Sequence, residues 1–117
     1  PGAFTPTCSA AHLPGYVVLA DQIKAKGVDI IACVSVNDAF VMKAWGEAHN
    51  GSELMMLGDG DAAFTKAIGL DKETGSFGGV RSQRYAMIIE NGVVTELAVE
   101  AAGEFEVSKA ESILEKL

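Results

Sequence analysis

Thr5, Pro6 and Cys8 are spaced as a nucleophile at the start of a helix would be. Thr5 suits the N-cap position, because its hydroxyl can accept a hydrogen bond from a first-turn backbone N–H. Pro6 then takes the first helical position, where a missing N–H costs nothing and the fixed φ helps. On that register Cys8 is the third helical residue, among unpaired N–H donors at the positive end of the helix dipole. Such surroundings favour thiolate over thiol, and the thiolate is the reactive form. An inert buried cysteine beside a cap fits the same spacing, so spacing alone leaves both readings open. Two arginines, Arg81 and Arg84, lie between a Gly-rich stretch and an apolar run. They could supply a fixed cation, or could equally be a solvated surface pair.

The elements that must position these residues alternate along the chain. Ser9 to Lys26 reads as a helix interrupted near Pro14-Gly15 and ended by Gly27. Val28 to Val36 is a continuous β-branched apolar run, the pattern of a strand covered on both faces. Asp38 caps a helix from Ala39 to His49, which Asn50-Gly51 stops. Leu54 to Leu57 reads as a short strand, and Asp61 starts a helix closing at Gly69. Asp71 to Gly79 reads as a polar Gly-rich loop. Arg84 to Glu90 and Val93 to Val99 form a hairpin around Asn91-Gly92. Ser108 is expected to cap a last helix with Ile113, Leu114 and Leu117 as its apolar stripe.

A length of 117 residues bounds this to one domain, and 49% hydrophobic residues suffice for a core. The net charge of −7 argues against nucleic acid or an anionic membrane as partner. No apolar run approaches the ~20 residues that span a bilayer. No secretion leader is visible at Pro1, and two cysteines suit a reducing compartment better than a disulfide scaffold. Cys8, His12, Cys33 and His49 lack metal-ligand spacing, so no metal is expected.

Pro1, Thr5 and Cys8 fill the pattern Pro-x-x-x-Thr-x-x-Cys, and the longer string PGAFTPTCS runs on to His12-Leu13-Pro14-Gly15. With Ser35 to Val41, Trp45-Gly46 and Arg81-Ser82-Gln83-Arg84-Tyr85, the whole chain resembles the type II, atypical two-cysteine peroxiredoxins. The resemblance implies an α/β thioredoxin-like fold, a central mixed β-sheet flanked by helices. It also implies a strand, a hairpin and a helix upstream of Pro1. Residues 1–117 are therefore expected to be a single thioredoxin-like domain, N-terminally incomplete, with the Val28–Val36 strand left an open edge.

The resemblance further implies a thiol peroxidase acting on hydrogen peroxide and small alkyl hydroperoxides, with no cofactor. Cys8 would be the nucleophile, Thr5 a hydroxyl shared between cap and site, and Arg84, just before Tyr85, the cation facing the sulfur. Pro1, Gly2, Phe4, Arg81 and Phe77 would form the substrate pocket, Phe77 at its mouth or in a homodimer contact. Trp45, Phe4 and Phe77 are also read as packing residues, and His12 as a structural one. Cys33 is the one candidate resolving cysteine. An external thiol, glutathione with glutaredoxin or thioredoxin, is the preferred reductant, since Gly103 to Lys109 holds no cysteine. A cytoplasmic location is expected, with the mitochondrial matrix as the other option. The alternative function is a redox sensor or binding module whose Cys8 oxidation signals without turnover. A thioredoxin-type disulfide oxidoreductase is disfavoured by the lack of a CxxC.

Overall fold

The computed structural model describes residues 1–117. Helical backbone begins at Pro6, with the Ser9 N–H donating to the Thr5 carbonyl at 2.9 Å. The turn then widens to a π-helical stretch, Cys8–His12, in which the Leu13 N–H reaches the Cys8 carbonyl five residues back. Helix α1 (Leu13–Ala25) continues from it without a break. The expected interruption at Pro14-Gly15 is thus replaced by a widening just before it. That widening places Pro14 in the first turn of α1, where proline needs no donor.

Strand β1 (Ala32–Ser35) is shorter than the apolar run that contains it, and α2 (Ala39–Ala48) returns the chain to β2 (Met55–Gly58). The two strands pair in parallel, Ala32 opposite Met55 through Ser35 opposite Gly58. The Asp38 carboxylate accepts from the Val41 N–H at 2.8 Å, the expected cap. Coverage of the run on both faces does not occur. Ile30 is 60% exposed, and Ser35 is the one buried residue of β1. Along its edges β1 has a single ladder, to β2.

Helix α3 (Ala63–Ala67) is held less by Asp61 than by Asp59, whose carboxylate accepts from Phe64 N, Thr65 N and Thr65 Oγ1. The polar loop expected over Asp71 to Gly79 is instead half of a hairpin. Strands β3 (Asp71–Glu73) and β4 (Val80–Ser82) pair antiparallel, with Lys72 opposite Arg81. Thr74 closes the turn through its N–H and hydroxyl, both donating to the Gly79 carbonyl. Gly75 and Gly79 take positive φ there, which side chains other than Asn or Gly resist.

Strands β5 (Tyr85–Glu90) and β6 (Val93–Val99) form the expected hairpin, Asn91 and Gly92 both at positive φ. The chain therefore has mixed pairing, one parallel and two antiparallel ladders, but as three separate two-stranded pieces. The core lies between the first helix, α2 and β2: Ala3, Cys8, Leu13, Met42, Trp45 and Leu54, with Cys33 and Tyr16 packed against it.

Helix α4 (Ala110–Leu114) packs on α1, and Lys109 rather than Ser108 precedes it. Ser108 is fully buried instead. Its hydroxyl and N–H donate to Glu100 Oε2 at 2.6 and 2.8 Å, and the Glu106 N–H donates to the same oxygen at 2.8 Å. Burial raises the Glu100 pKa, but these donors outweigh it and bring it down to about 2 from 4.5. The unfolded chain thus takes up this proton first. The anchor's contribution is complete above about pH 4.5 and is lost as pH falls through about 2. Glu100→Ala strands the three donors and is expected to cost about 3 kcal/mol in urea unfolding at pH 7. It should also flatten the stability-versus-pH slope in that acid window.

Candidate active site

The helix start carries Cys8 to the lining of a cavity of about 250 Å³. Pro1, Gly2 and Thr5 line it from the N-terminal loop, and Pro6 and Thr7 from the first helical turn. Lys72, Thr74, Phe77, Arg81, Ser82 and Arg84 line it from the β3–β4 hairpin and the approach to β5. The N-terminal loop is itself tied down. Asn37 Oδ1 accepts from the Ala3 N–H at 2.9 Å and from the Ser35 hydroxyl at 2.7 Å. That hydroxyl lies 3.3 Å from the Pro1 carbonyl, so the end of β1 fixes the loop beside the sulfur.

Cys8 is only 3% exposed, and Arg84 Nη1 lies 3.5 Å from its Sγ. Burial alone would raise the thiol pKa. It is overcome by the Pro1 ammonium, the Thr5 hydroxyl, the Gly2 N–H and the Arg84 guanidinium, which bring the pKa down from 9.0 to about 7. The ammonium's share exists only where the chain begins with a free amine; the other three belong to the site itself. The side-chain cap expected at Thr5 does not form. The Thr5 hydroxyl donates to the Gly2 carbonyl while the Thr5 carbonyl accepts the first helical N–H. The single hydroxyl proton can serve that carbonyl or the sulfur, so Thr5 is a donor at the site rather than a cap.

Arg84 is fixed through its backbone, where its carbonyl accepts from the Glu100 N–H at 2.9 Å. Two groups that sequence reasoning left out also touch its guanidinium. His12 Nδ1 lies 3.0 Å from Nη1, and the Phe105 ring lies with its centroid 5.7 Å from Cζ. His12 had a visible signal, since four residues from Cys8 on a helix is the same face. Phe105 had none, because its meeting with Arg84 is tertiary.

Of the other expected residues, the structure brings Pro1, Gly2, Arg81 and Phe77 into the cavity lining. Arg81 fills the space over two glycines: a Cβ at Gly2 or Gly78 would collide with its guanidinium. Phe77 is 78% exposed at the cavity, so it lines but does not pack. Phe4 is a correction on both counts. It is 55% exposed and outside the lining, on a turn where its backbone takes φ 59°. Trp45 packs as expected, its indole N–H donating to Ser9 Oγ at 2.9 Å. Cys33 is a free thiol, as is Cys8, and burial pushes its pKa up to about 11. It is therefore the poorer nucleophile of the two.

A sulfur that ionises near neutrality, a guanidinium beside it and an adjoining cavity can attack an electrophilic atom and hold the charge that departs. If the Thr5 hydroxyl supports the anion, Thr5→Val should raise the Cys8 pKa by about one unit and Thr5→Ser should not. The pH dependence of alkylation by iodoacetamide reads this directly, and equal midpoints in both variants would exclude the role.

A family model described as Redoxin matches residues 1–114. Peroxiredoxin-2C of Arabidopsis thaliana is 47% identical over 119 residues, across this whole chain and 74% of the relative. Chloroplastic Peroxiredoxin-2E-2 of Oryza sativa subsp. japonica is 50% identical over 124 residues, across this whole chain and 54% of the relative. The chain thus spans between about half and three quarters of these relatives. Among solved structures, reduced Prx3 of Vibrio vulnificus in complex with hydrogen peroxide is 74% identical. It superposes with a TM-score of 0.98 over 99% of this chain and 73% of that one.

Proposed function

The chain belongs to the redoxin family, in its peroxiredoxin branch with a thioredoxin-like fold, and from that premise we propose that it is a thiol peroxidase. Its substrates are hydrogen peroxide and small alkyl hydroperoxides, and residues 1–117 act as one domain. The observation that carries this reading is the Cys8 sulfur held 3.5 Å from the Arg84 guanidinium at a cavity of about 250 Å³.

In this reading the Cys8 thiolate attacks the terminal peroxide oxygen. The S–O bond forms as the O–O bond breaks, and the sulfur is oxidised by two electrons to a sulfenic acid. The departing hydroxide or alkoxide carries the displaced electron pair. It leaves hydrogen-bonded to Arg84, with Thr5 and the Gly2 N–H as further donors, and takes a proton from solvent. A fixed guanidinium supplies its donors without reorganisation, which is what lowers such a barrier. Pro1 and Gly2 shield the sulfur from bulk water, and Arg81 supports the pocket from the hairpin.

The sulfenic acid is then reduced by an external thiol. One thiol condenses with Cys8 to a mixed disulfide, releasing water, and a second thiolate displaces Cys8 as a thiolate. Glutathione with glutaredoxin, or thioredoxin, has this chemistry. Two observations favour an outside reductant over Cys33. Burial holds the Cys33 thiol near 11, and cross-strand Lys72 and Arg81 make the cavity mouth cationic, which draws a carboxylate-bearing thiol. Phe77 is exposed at the same mouth, and this reading gives that apolar surface to a homodimer contact.

Cys8→Ser is expected to abolish peroxide consumption, whereas Cys33→Ser should retain most of it when glutathione and glutaredoxin are supplied. Mass spectrometry after one equivalent of peroxide should show one added oxygen, or a thiol adduct, on Cys8. A loss of two hydrogens joining Cys8 to Cys33 would overturn the external route. Peroxide consumption persisting in Cys8→Ser would overturn the peroxidase reading itself.

A further inference from the structure

Arg84 does not reach the sulfur unaided. Its Nη1 lies 3.0 Å from His12 Nδ1 and 3.5 Å from Cys8 Sγ, so one nitrogen with two hydrogens faces both. For Nδ1 to accept one of them, the imidazole must be neutral with its proton on Nε2. Nε2 lies 3.1 Å from the Ser108 carbonyl, which can only accept, and this sets that tautomer. The Tyr16 hydroxyl donates to the same carbonyl at 2.8 Å, and Glu100 holds Ser108 from the other side through its N–H and hydroxyl. Phe105 closes the group, its ring centroid 5.3 Å from that of His12. The connection runs from a carboxylate on the β6 end, through the segment before α4, to the helix that bears Cys8.

We propose that His12 is the positioning residue for Arg84, its neutral imidazole taking one Nη1 hydrogen and thereby turning the other onto the Cys8 sulfur. A protonated imidazole would present a donor and a like charge to the guanidinium. Burial opposes this first, and Arg84 itself adds to the opposition, so that the His12 pKa falls to about 4 despite the Ser108 bond and Glu100. Arg84, Glu100, Tyr16, the Pro1 ammonium and, across the shared Nη1, the Cys8 sulfur are the charged and titratable groups around the ring, and the imidazole is uncharged at neutral pH. The proposal rests on Cys8 being the reactive thiol, but its test reads ionisation without peroxide.

The test uses Cys33→Ser chain, in which Cys8 is the sole thiol, and follows iodoacetamide alkylation against pH. His12→Asn puts a carbonyl oxygen near the place of Nδ1, whereas His12→Gln puts an amide N–H near the place of Nε2. If His12 acts through Arg84, Asn should retain most of the alkylation rate at pH 7. Leu and Gln should lower it several-fold, about fivefold for a one-unit shift from 7 to 8. Adding His12→Leu to Arg84→Met should then change nothing further. The proposal is overturned if Gln retains the rate and Asn does not, or if His12→Leu costs as much with Arg84 already removed. Should His12→Leu fail to fold by circular dichroism, the Asn and Gln pair still decides. Failure of the peroxidase reading looks different: a Cys8 that ionises near 7 yet consumes no peroxide.

Discussion

Keeping a nearly buried sulfur charged is the constraint on which the rest of this structure depends. Removal from water disfavours the thiolate, so every group that restores it must be held in place by the fold. Here these groups come from two parts of the chain. Thr5 and the Gly2 N–H come from the loop that enters the first helix, and Arg84 arrives from the start of β5. The loop is tied to the end of β1 by Asn37 and Ser35, and Arg84 is tied by its carbonyl to Glu100. Loss of any tether loosens a donor, and a loosened donor leaves the buried charge unsupported.

The polar network behind Arg84 obeys the same logic on a larger scale. Glu100 is a buried carboxylate, which is costly unless several donors meet it, and Ser108 and Glu106 supply them. One consequence is a Ser108 carbonyl fixed well enough to define the tautomer of His12. Stability and site geometry are thus built from the same hydrogen bonds. Asp59 plays the comparable part for α3, away from the sulfur. The π-helical turn between Cys8 and His12 lets one helix carry both the thiol and the imidazole while passing smoothly over Pro14.

What the sequence made legible was local. Thr5-Pro6-x-Cys8 fixes a helix start within four residues, and Asn91-Gly92 and Asp38 fix a hairpin turn and a cap within two or three. Arg84 as the partner of Cys8 came from resemblance to a family, since 76 positions separate them and nothing in either neighbourhood encodes the meeting. The β3–β4 hairpin was hidden by its glycines, which read as loop although two of them supply the positive φ of its turn. Ser108 read as a cap because serine before a helix usually is one; a carboxylate eight residues earlier claimed its hydroxyl instead. Residues 28–31 promised more strand than forms, because extended pairing needs a neighbour and β1 has one on a single side. Long-range polar partners were the part that local pattern could not reach.

One titration tests the core of this account most directly: thiolate absorbance at 240 nm against pH, in chain carrying Cys33→Ser. The account requires a midpoint below the ordinary 9.0, and near 7 where the chain begins with the free Pro1 amine. A midpoint at 9 or above would mean that burial has won, and that the groups gathered around the sulfur do not hold its charge.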